Sequence, residues 1–393
     1  MSPKAKREYY YMMHMLLFVM LFGMGKFMLY DPYIKNNDHA NSQLTASASN
    51  AIDTEIVNSQ KLTFVAVGDI MMHQSQMSSG YDKKSGTYNF DNFFINIKPF
   101  LSGDIVYANL ETPVAGKELK YGGYPNFNSP IELLGALKNS YFTHLSLANN
   151  HALDRGTKGI LNTVKNVTDF GFTALGARSD NTKANYEITE KNGLHIGFVS
   201  YAYGTNGHKI SNADSYMLSY INKDQIKKDL YDLKSQGVDV TFAAFHFGEE
   251  YKLNENKSQQ DLAKFVCDLG VDVVIGSHPH VLEPITYLND GKCLVAYSLG
   301  NFISGMSKEY TDLGGILKVE ISKENNVITI NPDFIGTWVK RSTDTRGVKM
   351  FTVVPLDIDK IPSTIAISKV EAVRLEKYRN FVNTKIKTYV KKP

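Results

Sequence analysis

The chain has 393 residues, a formal net charge of +3 and two cysteines, long enough for one large domain or two ordinary ones. Near-neutral charge without a basic stripe interleaved with aromatics excludes a general nucleic-acid binder. No CxxC or Cys/His zinc spacing occurs, so any metal must be held by His, Asp, Glu and Asn.

Lys4, Lys6 and Arg7 precede an apolar stretch over residues 9–30, interrupted only by His14 and Lys26. Roughly 20 residues suit a bilayer-spanning helix. The basic flank predicts a cytoplasmic tail over residues 1–8 and an extracytoplasmic location for the chain beyond residue 30. No A-x-A-like site comes after the apolar stretch, which favours an uncleaved signal-anchor at the cell membrane. Residues 31–60 are rich in Asn, Ser, Ala and Thr and read as a flexible linker. A main domain is expected over 61–359 and a tail over 360–393, with an amphipathic helix at 368–385.

Within the domain, strand-like runs at 62–67, 105–108, 144–147, 196–201, 238–245, 271–275 and 294–297 alternate with helical patterns at 156–170, 224–236 and 259–269. This predicts an α/β domain with a largely buried sheet. Runs at 315–321, 327–334 and 350–356 have little helix between them and suggest antiparallel strands finishing a second sheet. Cys267 and Cys293 lie in apolar segments and read as small core residues rather than a disulfide.

The ends of these runs carry the chemistry. Ser277-His278-Pro279-His280 closes one, Gly68-Asp69 another, and Asn109-Leu110-Glu111 and Asn149-Asn150-His151 two more. His246 ends a fifth. Taken singly, Asp69 reads equally as a turn residue, Glu111 as a solvated carboxylate, Asn149 and Asn150 as helix caps, and His246 as a core histidine. Open α/β sheets place their sites at the carboxyl ends of strands. Together, donors at five strand ends of one sheet describe a metal centre suited to Mn, Fe or Zn. One or two such ions would polarise a phosphoryl or carbonyl oxygen.

Tyr107, Tyr121, Tyr124, Phe127 and Tyr251 lie near these motifs and read as core or substrate-facing residues. Lys117, Lys120 and Lys252 read as solvated surface that could attract an anionic polymer. His144 and His195 fall inside strand runs and are expected to be structural.

The ordered set Gly68-Asp69, Asn109-Leu110-Glu111, Asn149-Asn150-His151, His246 and His278-Pro279-His280 resembles the calcineurin-like metallophosphoesterases. The fuller text resembles the poly-γ-glutamate capsule-biosynthesis family of CapA type within that superfamily. It includes Val67-Gly68-Asp69-Ile70-Met71-Met72, Ala148-Asn149-Asn150-His151-Ala152-Leu153-Asp154, His246-Phe247-Gly248-Glu249-Glu250-Tyr251 and Tyr297-Ser298-Leu299-Gly300-Asn301-Phe302.

The resemblance implies a four-layer α/β/β/α sandwich of two mixed sheets and a metal-dependent hydrolase-type site. It makes Asp69 and His280 ligands of one ion and Asn150, His246 and His278 ligands of a second, with Glu111 between them. His151 would be the general acid, oriented by Asp154. The first motif departs from the superfamily's Asp-x-His, because Met71 stands where the His would be; His73 is then a further candidate ligand. The implied partners are the membrane, the anionic poly-γ-glutamate chain and membrane synthase subunits. A non-catalytic polymer-binding accessory and a secreted phosphodiesterase or nucleotidase are the alternative readings.

Overall fold

The computed structural model describes residues 59–387. The expected cytoplasmic tail, the anchor and most of the linker lie outside the described residues, as does the end of the C-terminal tail beyond residue 387. Among the described residues no helix is long and apolar enough to cross a membrane.

The strands are β1 (Gln60–Ile70), β2 (Tyr81–Asp82), β3 (Thr87–Tyr88), β4 (Ile105–Leu110), β5 (His144–Ser146), β6 (Thr173–Leu175), β7 (Tyr186–Lys191) and β8 (Leu194–Ala202). They continue as β9 (Val240–His246), β10 (Val273–Ser277), β11 (Ile285–Leu288), β12 (Cys293–Ala296), β13 (Asn301–Ile303), β14 (Leu313–Glu324), β15 (Val327–Thr343) and β16 (Lys349–Pro355). The α-helices are α1 (Gln74–Gly80), α2 (Glu132–Asn139), α3 (Gly156–Asp169), α4 (Lys223–Ser235), α5 (Lys257–Asp268) and α6 (Lys369–Phe381).

Two mixed sheets form the fold. The first runs β16-β15-β14-β1-β4-β5-β6, with β13 added parallel to the end of β1. The second runs β11-β12-β10-β9-β8-β7. Side chains alternate across β1, as a strand requires. Leu62, Phe64 and Ala66 pack toward Phe198, Phe242, Val273 and Ile275 of the second sheet. Val65 and Val67 face the other way, into a core shared with Leu134 and Leu137 of α2 and Ile160 and Val164 of α3. On the far side of the second sheet, Ile226 and Leu233 of α4 and Leu262 and Val266 of α5 cover Val199, Ala243 and Val274. The layers therefore follow as helix, sheet, sheet, helix. Helix α6 adds Leu375 and Tyr378 to the inter-sheet core.

Three expectations change. The late antiparallel strands do not finish a second sheet. β14 pairs along β1 from Gln60↔Lys323 to Val67↔Ile316 and extends the first. The edge of β1 opposite β4 would otherwise leave buried N–H and C=O groups unpaired. The site-bearing strand ends also belong to two sheets, not one: β1, β4 and β5 to the first, β9 and β10 to the second.

The third change concerns the cysteines. Cys267 and Cys293 form a disulfide with Cα atoms 5.7 Å apart. The last turn of α5 lies over the start of β12, so two residues 26 positions apart meet. Both remain buried in the outer core, as small apolar residues would.

Candidate metal centre

Two glycines shape the approach to the centre. A Cβ on Gly68, just before Asp69, would lie 1.8 Å from the Gly300 carbonyl oxygen. A Cβ on Gly276, two residues before His278, would lie 1.8 Å from the Tyr297 carbonyl oxygen. The returning segment 297–301 thus passes against the carboxyl ends of both β1 and β10, and only glycine permits that closeness. The Asp69 N–H donates to the Gly300 carbonyl at 2.9 Å, tying the first sheet's ligand strand to the same segment.

The six expected ligands converge. Donor atoms of Asp69, Glu111 and His246 lie within 4.8 Å of one another, as do those of Glu111, His278 and His280. Glu111 belongs to both groups. Its Oε1 is 3.4 Å from His246 Nε2 and 3.7 Å from His280 Nε2. Asn150 Oδ1 is 3.0 Å from His246 Nε2, and His280 Nδ1 is 3.3 Å from Asp69 Oδ2. Asn109 supports the cluster from below: its Nδ2 donates to Asp69 Oδ1 at 2.8 Å and toward Glu111 Oε2 at 3.4 Å. His278 and His280 have φ of +102° and +60°. For non-glycine residues such angles cost on the order of 1–3 kcal/mol each, and such strain gathers at functional sites.

The electrostatics suit a cation. Glu111 is fully buried, and burial, then the Asp69 charge, pushes its pKa well above the ordinary carboxylate range. Burial, then the neighbouring imidazoles, holds His246 well below its usual pKa and brings His278 down to about 4. The imidazoles are therefore neutral near pH 7 and offer lone pairs. Glu111 Oε1 and His278 Nδ1 are buried without a hydrogen-bond partner. A divalent ion would satisfy Glu111 Oε1 and stabilise the carboxylate charge, so the donor set fits a metal.

The sequence matches the bacterial capsule synthesis protein family, PGA_cap, over residues 63–306. The chain belongs to that family. It is 31% identical over 258 residues to "Capsule biosynthesis protein CapA" of Bacillus anthracis, covering 62% of this chain and 60% of that protein. It is 29% identical over 246 residues to "PGA biosynthesis protein CapA" of Bacillus subtilis (strain 168), covering 60% of this chain and 62% of that one. The match thus spans about 60% of the length of these curated relatives. Among solved structures, the calcineurin-like phosphoesterase YfkN from Bacillus subtilis aligns with 82% of this chain and 97% of its own at a TM-score of 0.44 and 14% identity. The Haemophilus influenzae NAD nucleotidase (NadN) aligns over 81% and 62% at 0.47 and 11%.

Around the centre of this PGA_cap chain, His151 Nδ1 contacts Asp154 Oδ2 at 2.8 Å. The Phe127 ring meets the His151 ring edge-on, with centroids 4.7 Å apart. His73 lies beside the centre, but its Nδ1 accepts the Gly305 N–H at 3.1 Å. The neutral ring then carries its proton on Nε2, and burial holds its pKa near 4. In this tautomer His73 Nδ1 is already engaged by the Gly305 N–H. Met71 is buried.

Tyr203 escapes the sequence reading. At the end of β8, it lies nearly parallel to His246, with ring centroids 6.1 Å apart, and 4.7 Å from His278, while half exposed. No local pattern marks it, although its place at a strand's carboxyl end is the signal used for the others. Tyr251 sits 6.2 Å from His280 with Lys308 Nζ 3.7 Å above its ring. Tyr107 is core, Tyr121 half-buried, and Tyr124 exposed. Lys117, Lys120 and Lys252 are exposed. His144 is buried with Nε2 2.9 Å from Thr189 Oγ1, whereas His195 turns its ring outward near Glu190.

Proposed function

We propose that this chain is a membrane-anchored, extracytoplasmic protein of poly-γ-glutamate capsule synthesis or export, carrying a metal-dependent hydrolase-type site. The shared position of Glu111 between two donor groups carries the hydrolase reading. Family membership supports the process. The disulfide supports an oxidising compartment, and the basic-then-apolar start over residues 4–30 supports the anchor.

As the resemblance implies, Asp69, Glu111 and His280 would hold one ion and Glu111, Asn150, His246 and His278 a second, whereas the donor atoms that lie together group Asp69 and His246 with Glu111, and His278 and His280 with Glu111. A bound Mn, Fe or Zn ion supplies a Lewis acid for a phosphoryl or carbonyl oxygen. The protein's own groups do the rest. Asp154 holds the His151 ring, leaving Nε2 to pass a proton to a leaving group. Tyr203 packs beside His246 and His278 at one flank of the centre.

The test is the metal content of the full-length protein and of Glu111→Gln, with capsule formation and turnover of phosphodiester and γ-glutamyl substrates. Loss of metal, turnover and capsule together in Glu111→Gln is expected. Full capsule formation by a metal-free Glu111→Gln or His278→Ala variant would rule out the metalloenzyme role and favour a polymer-binding accessory. Rapid turnover of small nucleotides with no effect on capsule would favour a secreted nucleotidase.

A further inference from the structure

We propose that Asn301 is a positioning residue that fixes the tautomer of His280, so that this imidazole presents Nε2 to a metal. The inference rests on the metal reading above and names a residue outside the expected ligand set.

The amide of Asn301 can be oriented unambiguously. Its Nδ2 donates to the Thr311 carbonyl oxygen at 2.9 Å, with Met306 Sδ a further acceptor at 3.6 Å. The flipped amide would press its oxygen against the Thr311 carbonyl and leave a buried N–H group without that acceptor. Asn301 is fully buried, so water cannot compensate. Oδ1 therefore faces His280 Nδ1, at 3.1 Å. An amide oxygen only accepts, so Nδ1 must carry the proton. The other group near Nδ1, Asp69 Oδ2 at 3.3 Å, is also an acceptor and favours the same tautomer. In the neutral ring Nε2 is then the lone-pair nitrogen, 3.7 Å from Glu111 Oε1.

The backbone explains why an asparagine can reach this point. Asn301 opens β13, which lies parallel to β1 with Asp69 opposite Asn301. The segment leading into it passes the bare Cα atoms of Gly68 and Gly276. One residue thus aligns a first-sheet ligand, Asp69, with a second-sheet ligand, His280. Hydrogen bonds to the far nitrogen of a ligating imidazole commonly change metal affinity by about 10- to 100-fold.

The test has two arms. The first is nitrogen-15 NMR of histidine-labelled, metal-free, full-length protein, with His280→Gln identifying the resonance. A proton on Nδ1 of His280 is expected; a proton on Nε2 overturns the assignment. The second is Zn²⁺ affinity of Asn301→Leu, with near-UV circular dichroism confirming the fold. A loss of about 10- to 100-fold is expected, and unchanged affinity in a folded variant overturns the positioning role. If the wild type shows the Nδ1 proton yet binds no Zn²⁺, Mn²⁺ or Fe²⁺, the metal-directed role falls, and the first arm identifies the metal reading as the part that failed.

Discussion

Asp154 Oδ2 accepts from two directions: it lies 2.8 Å from His151 Nδ1 and takes the Phe127 backbone N–H at 2.7 Å. The carboxylate is thereby anchored to the loop that also supplies the ring packed edge-on against His151. A histidine held in this way has one nitrogen committed to orientation and the other available for proton transfer.

The proposed site thus assigns metal binding and proton transfer to different residues. His151→Ala is expected to retain metal content and lower kcat by about 10²- to 10⁴-fold on whichever ester or amide is turned over. Asp154→Asn is expected to lower kcat by about 10²-fold or more, since the amide no longer enforces the tautomer. Metal analysis beside steady-state kinetics checks both. Loss of metal in His151→Ala would place His151 among the ligands instead.

Glu283 gives a pH dependence away from the centre. It is fully buried; Oε2 accepts from Gln259 Nε2 at 2.6 Å and Oε1 has no partner. Burial, only partly offset by the Gln259 hydrogen bond, raises its pKa from 4.5 to about 8. The folded protein therefore keeps a proton that the unfolded chain releases. Its stabilising contribution is complete below pH 4.5 and is lost as pH rises toward 8. Glu283→Gln imitates the protonated side chain. It is expected to change stability by less than about 1 kcal/mol at pH 5 and to stabilise by about 4 kcal/mol at pH 8.5. Urea denaturation at both pH values measures this, and an equal effect at both would contradict it.

The sequence makes the strand ends legible because each apolar run stops at a donor: Asp69, Glu111, His246 and His278 sit at or beside the carboxyl end of a strand. What it hides is set by long-range pairing. Nothing near Gln60 indicates that Lys323 lies opposite it, so the late strands are easily assigned to the wrong sheet. Cys267 and Cys293 have the same apolar surroundings whether bonded or not. Asn301 gains its role only because Thr311 and His280 flank its amide. Other features carried an unused local signal. Asn192-Gly193, at φ of +53° and +77°, is the two-residue turn of the β7–β8 hairpin.

The disulfide supplies a further measurable quantity. It links positions 26 apart, and closing a loop of that length in the unfolded chain is worth about 3 kcal/mol in the chain-entropy treatment. The double variant Cys267→Ala/Cys293→Ala is expected to lose about that much in chemical denaturation. Reductant should shift the wild-type midpoint toward that of the variant and leave the variant unchanged. Equal stability of oxidised wild type and variant would show that the crosslink adds nothing.

Opposite effects of the same substitution test the backbone crossing at the centre. Gly135 lies within α2, and a Cβ there meets nothing closer than a Phe170 ring carbon at 3.9 Å. Gly135→Ala is expected to stabilise by about 0.5–1 kcal/mol through helix propensity. At Gly68 the same methyl would sit 1.8 Å from the Gly300 oxygen. That oxygen also accepts the Asp69 N–H, so relief of the clash must move Asp69, Gly300 or both. Gly68→Ala is expected to cost about 3 kcal/mol or more and to weaken metal binding although no ligand is altered. Thermal denaturation and metal titration of the two variants check this. A Gly68→Ala protein with wild-type metal affinity would mean that Asp69 is not held by segment 297–301.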